Sequence, residues 1–157
     1  MKIIETDFEN LFIVEHNIST DVRGVFKETF RKDLLEFHLG YNIEFCQENN
    51  VKSSKLVLRG LHFQEEPFAQ SKLISVSKGK ILDIAVDIRK NSKTYGNYFS
   101  YVLSSNMNKS IFIPKGFAHG YLTLDDDTEI NYKVDNYYNP NSENGISFTD
   151  CSLRSYR

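Results

Sequence analysis

The chain has 157 residues, 40% of them hydrophobic and 25% charged, with eight Gly and three Pro; this is the length of one domain able to bury its own core, and it excludes disordered, collagen-like and low-complexity scaffolds. A formal net charge of −2 argues against non-specific nucleic-acid binding and against attraction to an anionic membrane. No apolar run approaches the roughly 18 residues of a membrane helix, and Met1 to Asp7 hold no hydrophobic leader core, so a cytoplasmic protein without membrane or nucleic-acid partners is expected.

Residues 11–14 form a compact apolar run. Residues 31–39 are the one stretch that reads as a helix: Leu34, Leu35 and Phe37 are apolar, and Gly40 stands where a C-terminal cap belongs. Residues 72–77 and 80–88 flank Lys78-Gly79, which reads as a hairpin turn. In the second of these strands Leu82, Ile84, Val86 and Ile88 share one face, and Ile81, Asp83, Ala85 and Asp87 the other. A strand over 97–104 follows the Tyr95-Gly96 turn. A strand over 110–113 runs into Pro114-Lys115-Gly116. Strands over 120–124 and 128–134 bracket Asp125-Asp126-Asp127. Short strands at roughly 8–12-residue spacing predict an all-β sandwich or barrel with one short helix, in a single domain over 1–157. The 9 Tyr and 12 Phe suit strands, and surplus Tyr suits the lining of a ligand pocket.

Chemistry-bearing residues gather in three clusters beside glycines at strand–turn borders. The first is Asp21-Val22-Arg23-Gly24-Val25-Phe26-Lys27-Glu28. The second is Leu58-Arg59-Gly60-Leu61-His62-Phe63-Gln64, followed by Gln70-Ser71-Lys72. The third is Ile113-Pro114-Lys115-Gly116-Phe117-Ala118-His119-Gly120, with Tyr132-Lys133 downstream. No metal site is expected: the barrel spacing His-x-His is broken by Gln64, and neither Cys46 nor Cys151 sits in a metal-binding spacing. The two cysteines allow at most one bridge.

These motifs resemble, in order and over nearly the whole chain, those of the dTDP-4-dehydrorhamnose 3,5-epimerase family. The resemblance runs from Asp21-x-Arg23-Gly24-x-Phe26-x-Glu28 through Gln47 and Asn49, Val57 to Gln64, Lys72-Leu73, Val86-Asp87-Ile88-Arg89 and Ile113 to Gly120. It closes with Tyr132-Lys133, Tyr137-Tyr138-Asn139-Pro140 and Glu143-x-Gly145-Ile146. Pro114 to His119 also resembles the second cupin motif, which implies a cupin-like jelly roll. The resemblance implies a cofactor-free, metal-free homodimeric epimerase acting on a nucleotide-diphospho-4-keto-6-deoxyhexose. By that analogy His62 is the base, Tyr132 the acid and Lys72 the cation at the keto oxygen. Arg23 and Arg59 are implied to take the diphosphate. Glu28, Gln47 and Asn49 are implied to contact the nucleoside, Tyr138 and Phe26 to stack on base or sugar, and His119 to face the sugar or bond Asp83. The N-terminal strands are implied to cross to the partner, carrying Arg23 and Glu28 into its pocket.

The chain departs from the family pattern at Val51, where Ser is usual, at Ser71, where Gly is usual, and at Phe148-Thr149-Asp150, where Trp-Asn-Asp is usual. The family's Leu-Ser-x-Lys-Asp segment, whose Asp pairs with the catalytic His, has no counterpart in residues 151–157. That predicts a less firmly oriented imidazole. Two alternatives stay open beside the 3,5-epimerase: a relative that epimerises one carbon or moves the keto group, and a sugar-nucleotide-binding protein with impaired catalysis.

Overall fold

The computed structural model describes residues 1–150 in full and the backbone of Arg154–Ser155. Cys151, and with it any bridge to Cys46, lies outside the described residues, as do 152–153 and 156–157. Two six-stranded sheets face each other. The first runs, edge to edge, β1 (Lys2–Glu5), β2 (Phe12–Glu15), β10 (Lys109–Ile113), β7 (Lys72–Lys78), β12 (Thr128–Val134) and β5 (Gln47–Ser53). The second runs β13 (Glu143–Gly145), β6 (Leu58–Gln64), β11 (Phe117–Thr123), β8 (Lys80–Asp87), β9 (Asn97–Ser104) and β14 (Arg154–Ser155). The result is a cupin-like jelly roll with one short helix, α1 (Lys32–Leu39), as the sequence predicts. Gly40 ends that helix in the left-handed region at φ 73°, its N–H donating to the Glu36 carbonyl.

The main core lies between the sheets: Ile74, Ile111 and Ile130 from the first meet Ile81, Leu103 and Phe117 from the second. A second cluster sits outside the first sheet, where Leu35 of α1 and Ile43 cover Phe12, Val14, Leu73 and Phe112. On β8 the predicted two faces hold. Ile81, Asp83 and Ala85 are buried toward the barrel interior, while Val86 and Ile84 pack outside with Phe63 and Ile146.

The hairpin predicted at Lys78-Gly79 is not formed. β7 and β8 belong to opposite sheets, and Gly79, at φ 78°, carries the chain across the corner between them. A Cβ there would stand 2.6 Å from Thr128 Oγ1, so glycine serves a close corner rather than a two-residue turn. A tight hairpin does form between β3 (Ile18–Asp21) and β4 (Gly24–Lys27), a separate two-stranded sheet with Val22, Val25 and Phe26 exposed.

A register shift in the second sheet positions the functional cluster. β11 pairs with β6 so that Tyr121 opposes Arg59 and His119 opposes His62. Two residues separate Arg59 from His62, but one separates His119 from Tyr121, so β6 carries one extra residue, a β-bulge. Strict alternation would send residues three apart to opposite faces. The bulge turns Arg59 and His62 to the same cavity and sends Leu61 to the outer cluster. Its backbone contact permits only glycine: at Gly60, φ 104°, a Cβ would lie 2.5 Å from Gly120 Cα and 2.6 Å from the His119 carbonyl. Gly60→Ala is therefore expected to destabilise the fold by about 2–4 kcal/mol, from overpacking and positive-φ strain together, read as a lower urea midpoint.

Candidate active site

The barrel interior opens into two adjoining cavities. The larger, about 370 Å³, is lined by Arg59, Gly60 and His62 of β6, Lys72 and Ile74 of β7, His119 and Tyr121 of β11, and Val51, Ile130 and Tyr132 of β5 and β12. The second, about 280 Å³, is lined by Gln47, Asn49, Phe63, Gln64, Gln70, Tyr138 and Glu143, and again by His62, Lys72 and Tyr132. The three residues given catalytic roles by resemblance thus line both spaces. They also come from both walls: His62 belongs to the second sheet, Lys72 and Tyr132 to neighbouring strands of the first.

Most of the binding residues expected from sequence are here too. Gln47 links three of them: its Nε2 donates to Asn49 Oδ1 at 2.9 Å, and its Oε1 accepts from the Tyr138 backbone N–H at 3.1 Å. Asn49 lies opposite Tyr132 across the β5–β12 ladder and lowers the pKa of its phenol. His119 lines the larger cavity and also bonds Asp83, Nε2 to Oδ2 at 2.8 Å, with both side chains buried. Arg59 donates through Nε to Ser53 Oγ at 3.3 Å. Arg23, Phe26 and Glu28 are not brought to these cavities within one chain: Arg23 and Phe26 line a separate cleft on the β3–β4 hairpin, where Arg23 is held by Asp21.

Three residues escaped role assignment from sequence. Glu143 lies 3.9 Å from His62 Nδ1, too far for a hydrogen bond but close enough for attraction, and its Oε2 accepts from the Tyr138 hydroxyl at 2.7 Å. Its signal was present in the Glu143-x-Gly145-Ile146 motif, which carried no role. Gln64, read only as the residue that spoils a metal motif, anchors the 137–139 loop: Nε2 donates to the Phe68 and Tyr137 carbonyls and Oε1 accepts from the Asn139 N–H. Tyr121 carries a buried hydroxyl without a partner. Among the described residues, no group of three His, Cys, Asp or Glu side chains comes together as metal ligands would, and no helix is long and apolar enough to cross a membrane.

Over residues 5–155 the chain matches the family described as dTDP-4-dehydrorhamnose 3,5-epimerase. The chain belongs to that family. Its isomerase relatives include the Escherichia coli K12 dTDP-4-dehydrorhamnose 3,5-epimerase, 45% identical over 96% of this chain and 81% of that protein. The crystal structure of the Elizabethkingia anophelis enzyme superposes with a TM-score of 0.94 at 40% identity, over 98% of this chain and 84% of that one. The Legionella pneumophila enzyme, in complex with dTDP-4-keto-L-rhamnose, superposes with a TM-score of 0.92 at 42% identity, over 97% and 80%.

The electrostatics of this epimerase-family cavity are set by burial opposed by charge. Burial pushes the Tyr132 phenol above its ordinary pKa, with Glu143 adding to the rise, while Asn49 and the Arg59 charge pull it back. Tyr138 is raised by donating to Glu143. Loss of hydration lowers the Lys72 ammonium from 10.5 to about 8, against the attraction of Asp83 and Glu143.

Because the folded-state pKa of Lys72 lies below its unfolded value, the unfolded chain holds more protons between about pH 8 and 10.5. This group's contribution to stability therefore rises with pH across that window, and its penalty is fully present below pH 8. Lys72→Met should accordingly be more stable than the parent at pH 7, by on the order of 1–3 kcal/mol. Urea titrations should show the gap closing by about pH 10.5.

Proposed function

We propose that this chain epimerises the sugar of dTDP-4-dehydro-6-deoxy-D-glucose at C3 and C5, giving dTDP-4-dehydro-L-rhamnose, with His62 as base, Tyr132 as acid and Lys72 as the cation at the C4 oxygen. The observation that carries this reading is that His62, Lys72 and Tyr132 line both cavities and come from facing sheets. Inversion next to a ketone needs a proton removed from one face and another delivered to the opposite face, with a donor where the enolate oxygen develops charge. His62 takes the proton from carbon, and the electron pair moves through the C3–C4 or C4–C5 bond onto the C4 oxygen, beside the Lys72 ammonium. The enolate collapses as Tyr132 supplies its phenolic proton to the opposite face. With a side-chain exposure of 56%, His62 returns its proton to water, the Tyr132 phenolate regains one from water, and repetition at the second carbon completes the reaction. No metal or cofactor is required by this sequence of steps. Arg59 lies where a guanidinium can hold diphosphate oxygens, and Gln47, Asn49 and Tyr138 stand in the adjoining cavity for the nucleoside. His119 faces the sugar.

Tyr132→Phe tests the assignment of the acid. The ring still packs, and abstraction by His62 survives, so in heavy water the variant should wash deuterium into the substrate without inverting the carbon. Inverted sugar at the parent rate would remove Tyr132 from the mechanism. His62→Asn should lose both exchange and inversion by about 10²–10⁴-fold, with nucleotide affinity nearly intact. Two solvent deuterons per product identify the 3,5-epimerase; one identifies the single-carbon relative.

We further propose a cytoplasmic homodimer in which the β3–β4 hairpin carries Arg23, Phe26 and Glu28 to the partner's cavities. What supports this is the hairpin's exposed Val22, Val25 and Phe26, since a two-stranded ribbon is marginal in water without a surface to pack on. Mixing His62→Asn with Arg23→Ala subunits should restore about one quarter of parental activity through one intact composite site per heterodimer. No restoration, with exchange of subunits verified, would refute the shared site.

A further inference from the structure

Tyr121 sits on β11 directly opposite Asp83 of β8, in the wall of the larger cavity. Its ring belongs to the main core and is 6% exposed, yet its hydroxyl is buried with no hydrogen-bond partner. Buried tyrosine hydroxyls ordinarily find one, because an unpaired buried donor carries the full desolvation penalty. Asp83 does not serve: one of its oxygens is taken by His119, and the other is unpartnered as well. The hydroxyl stands under the influence of Arg59 and Tyr132 as well as of Asp83. Burial pushes its pKa up to about 12, so near neutral pH it carries its proton.

We propose that Tyr121 determines sugar specificity, its hydroxyl donating a hydrogen bond to the C2 hydroxyl of the hexose. The assignment rests on the substrate class proposed above. A 1-linked 4-keto-6-deoxyhexose has free hydroxyls at C2 and C3 only. The C3 hydroxyl swings as C3 inverts, so a donor fixed in a packed core serves the C2 group, which keeps its place. C2 also neighbours the carbon bearing the diphosphate, and Arg59, the diphosphate ligand proposed above, opposes Tyr121 across the β6–β11 ladder. A site built to bond a hydroxyl rejects the analogue lacking it far more strongly than an apolar pocket discriminates by size. The chain is therefore a selector against 2-deoxy sugars.

The test compares kcat/KM for dTDP-4-keto-6-deoxyglucose and for its 2-deoxy analogue in the parent and in Tyr121→Phe. The parent should prefer the hydroxylated sugar by about 100-fold or more. Tyr121→Phe should bring that ratio close to one, through loss of activity on the hydroxylated sugar and little change on the deoxy sugar. The same substitution removes an unpaired buried hydroxyl, so Tm of the ligand-free protein should rise by about 2–4 °C. An unchanged ratio would overturn the assignment while leaving the epimerase reading standing, and an unchanged ratio with a lowered Tm would identify a structural hydroxyl bonded to buried water. Absence of exchange and inversion on both sugars in the parent would overturn the epimerase reading, and this assignment with it.

Discussion

The contact between Gly60 and Gly120, where two strand backbones approach too closely for any side chain, fixes much of the site. It holds the extra residue of β6 in place, and through it the parity of the strand: Arg59 points inward before the bulge and His62 after it. A base and a guanidinium three residues apart thus share one cavity, and the same ladder sets His62 against His119 and Arg59 against Tyr121. Functional sites commonly use bulges in this way, to re-aim side chains that regular alternation would separate.

The cavity built on that contact has a sheltered side and an open side. Lys72 is half-buried, and its ammonium is held there against the loss of hydration that lowers its pKa. Tyr132 faces Asn49 across the β5–β12 ladder, at the end of an amide relay that runs from the backbone of Tyr138 through Gln47 to Asn49. His62 is the open member, more than half exposed, with Glu143 the nearby carboxylate. The cation and the acid are half-buried, and the base that takes the carbon's proton is open to water. Such a division separates a preorganised wall from a titrating one.

The fold class and half of the strands were legible because β12, β9 and the helix show plain periodicity or clear stops. Legibility failed where the chain obeyed tertiary rather than local rules. Lys78-Gly79 looks like a hairpin turn in sequence, and only the allocation of β7 and β8 to different sheets reveals a corner. β5 and β6 are too polar to announce themselves as strands; their Gln, Asn, Arg and His face a cavity rather than a core. Among the site residues, His62, Lys72, Tyr132, Arg59, His119, Gln47, Asn49 and Tyr138 stood out by resemblance, and the structure gathers them. Tyr121 gave no signal, because an unpaired buried hydroxyl is a property of packing and not of spacing. Arg23, Phe26 and Glu28 sit on a hairpin whose surroundings a single chain does not contain.

His62 and Tyr132 stand on different sheets, so the gap between them is the thickness of the sandwich, set by the layer of Ile74, Ile130, Ile81 and Ala85 that separates the walls. Facing sheets sit about 10 Å apart, and the core works as the spacer of a calliper. Heat, pressure or a bulkier core residue that moves the jaws by an ångström would leave both sheets hydrogen-bonded and the fold intact while taking the two proton-transfer groups out of reach of the same carbon. In this architecture the interior packing is a dimension of the active site, and chemistry fails before the structure does.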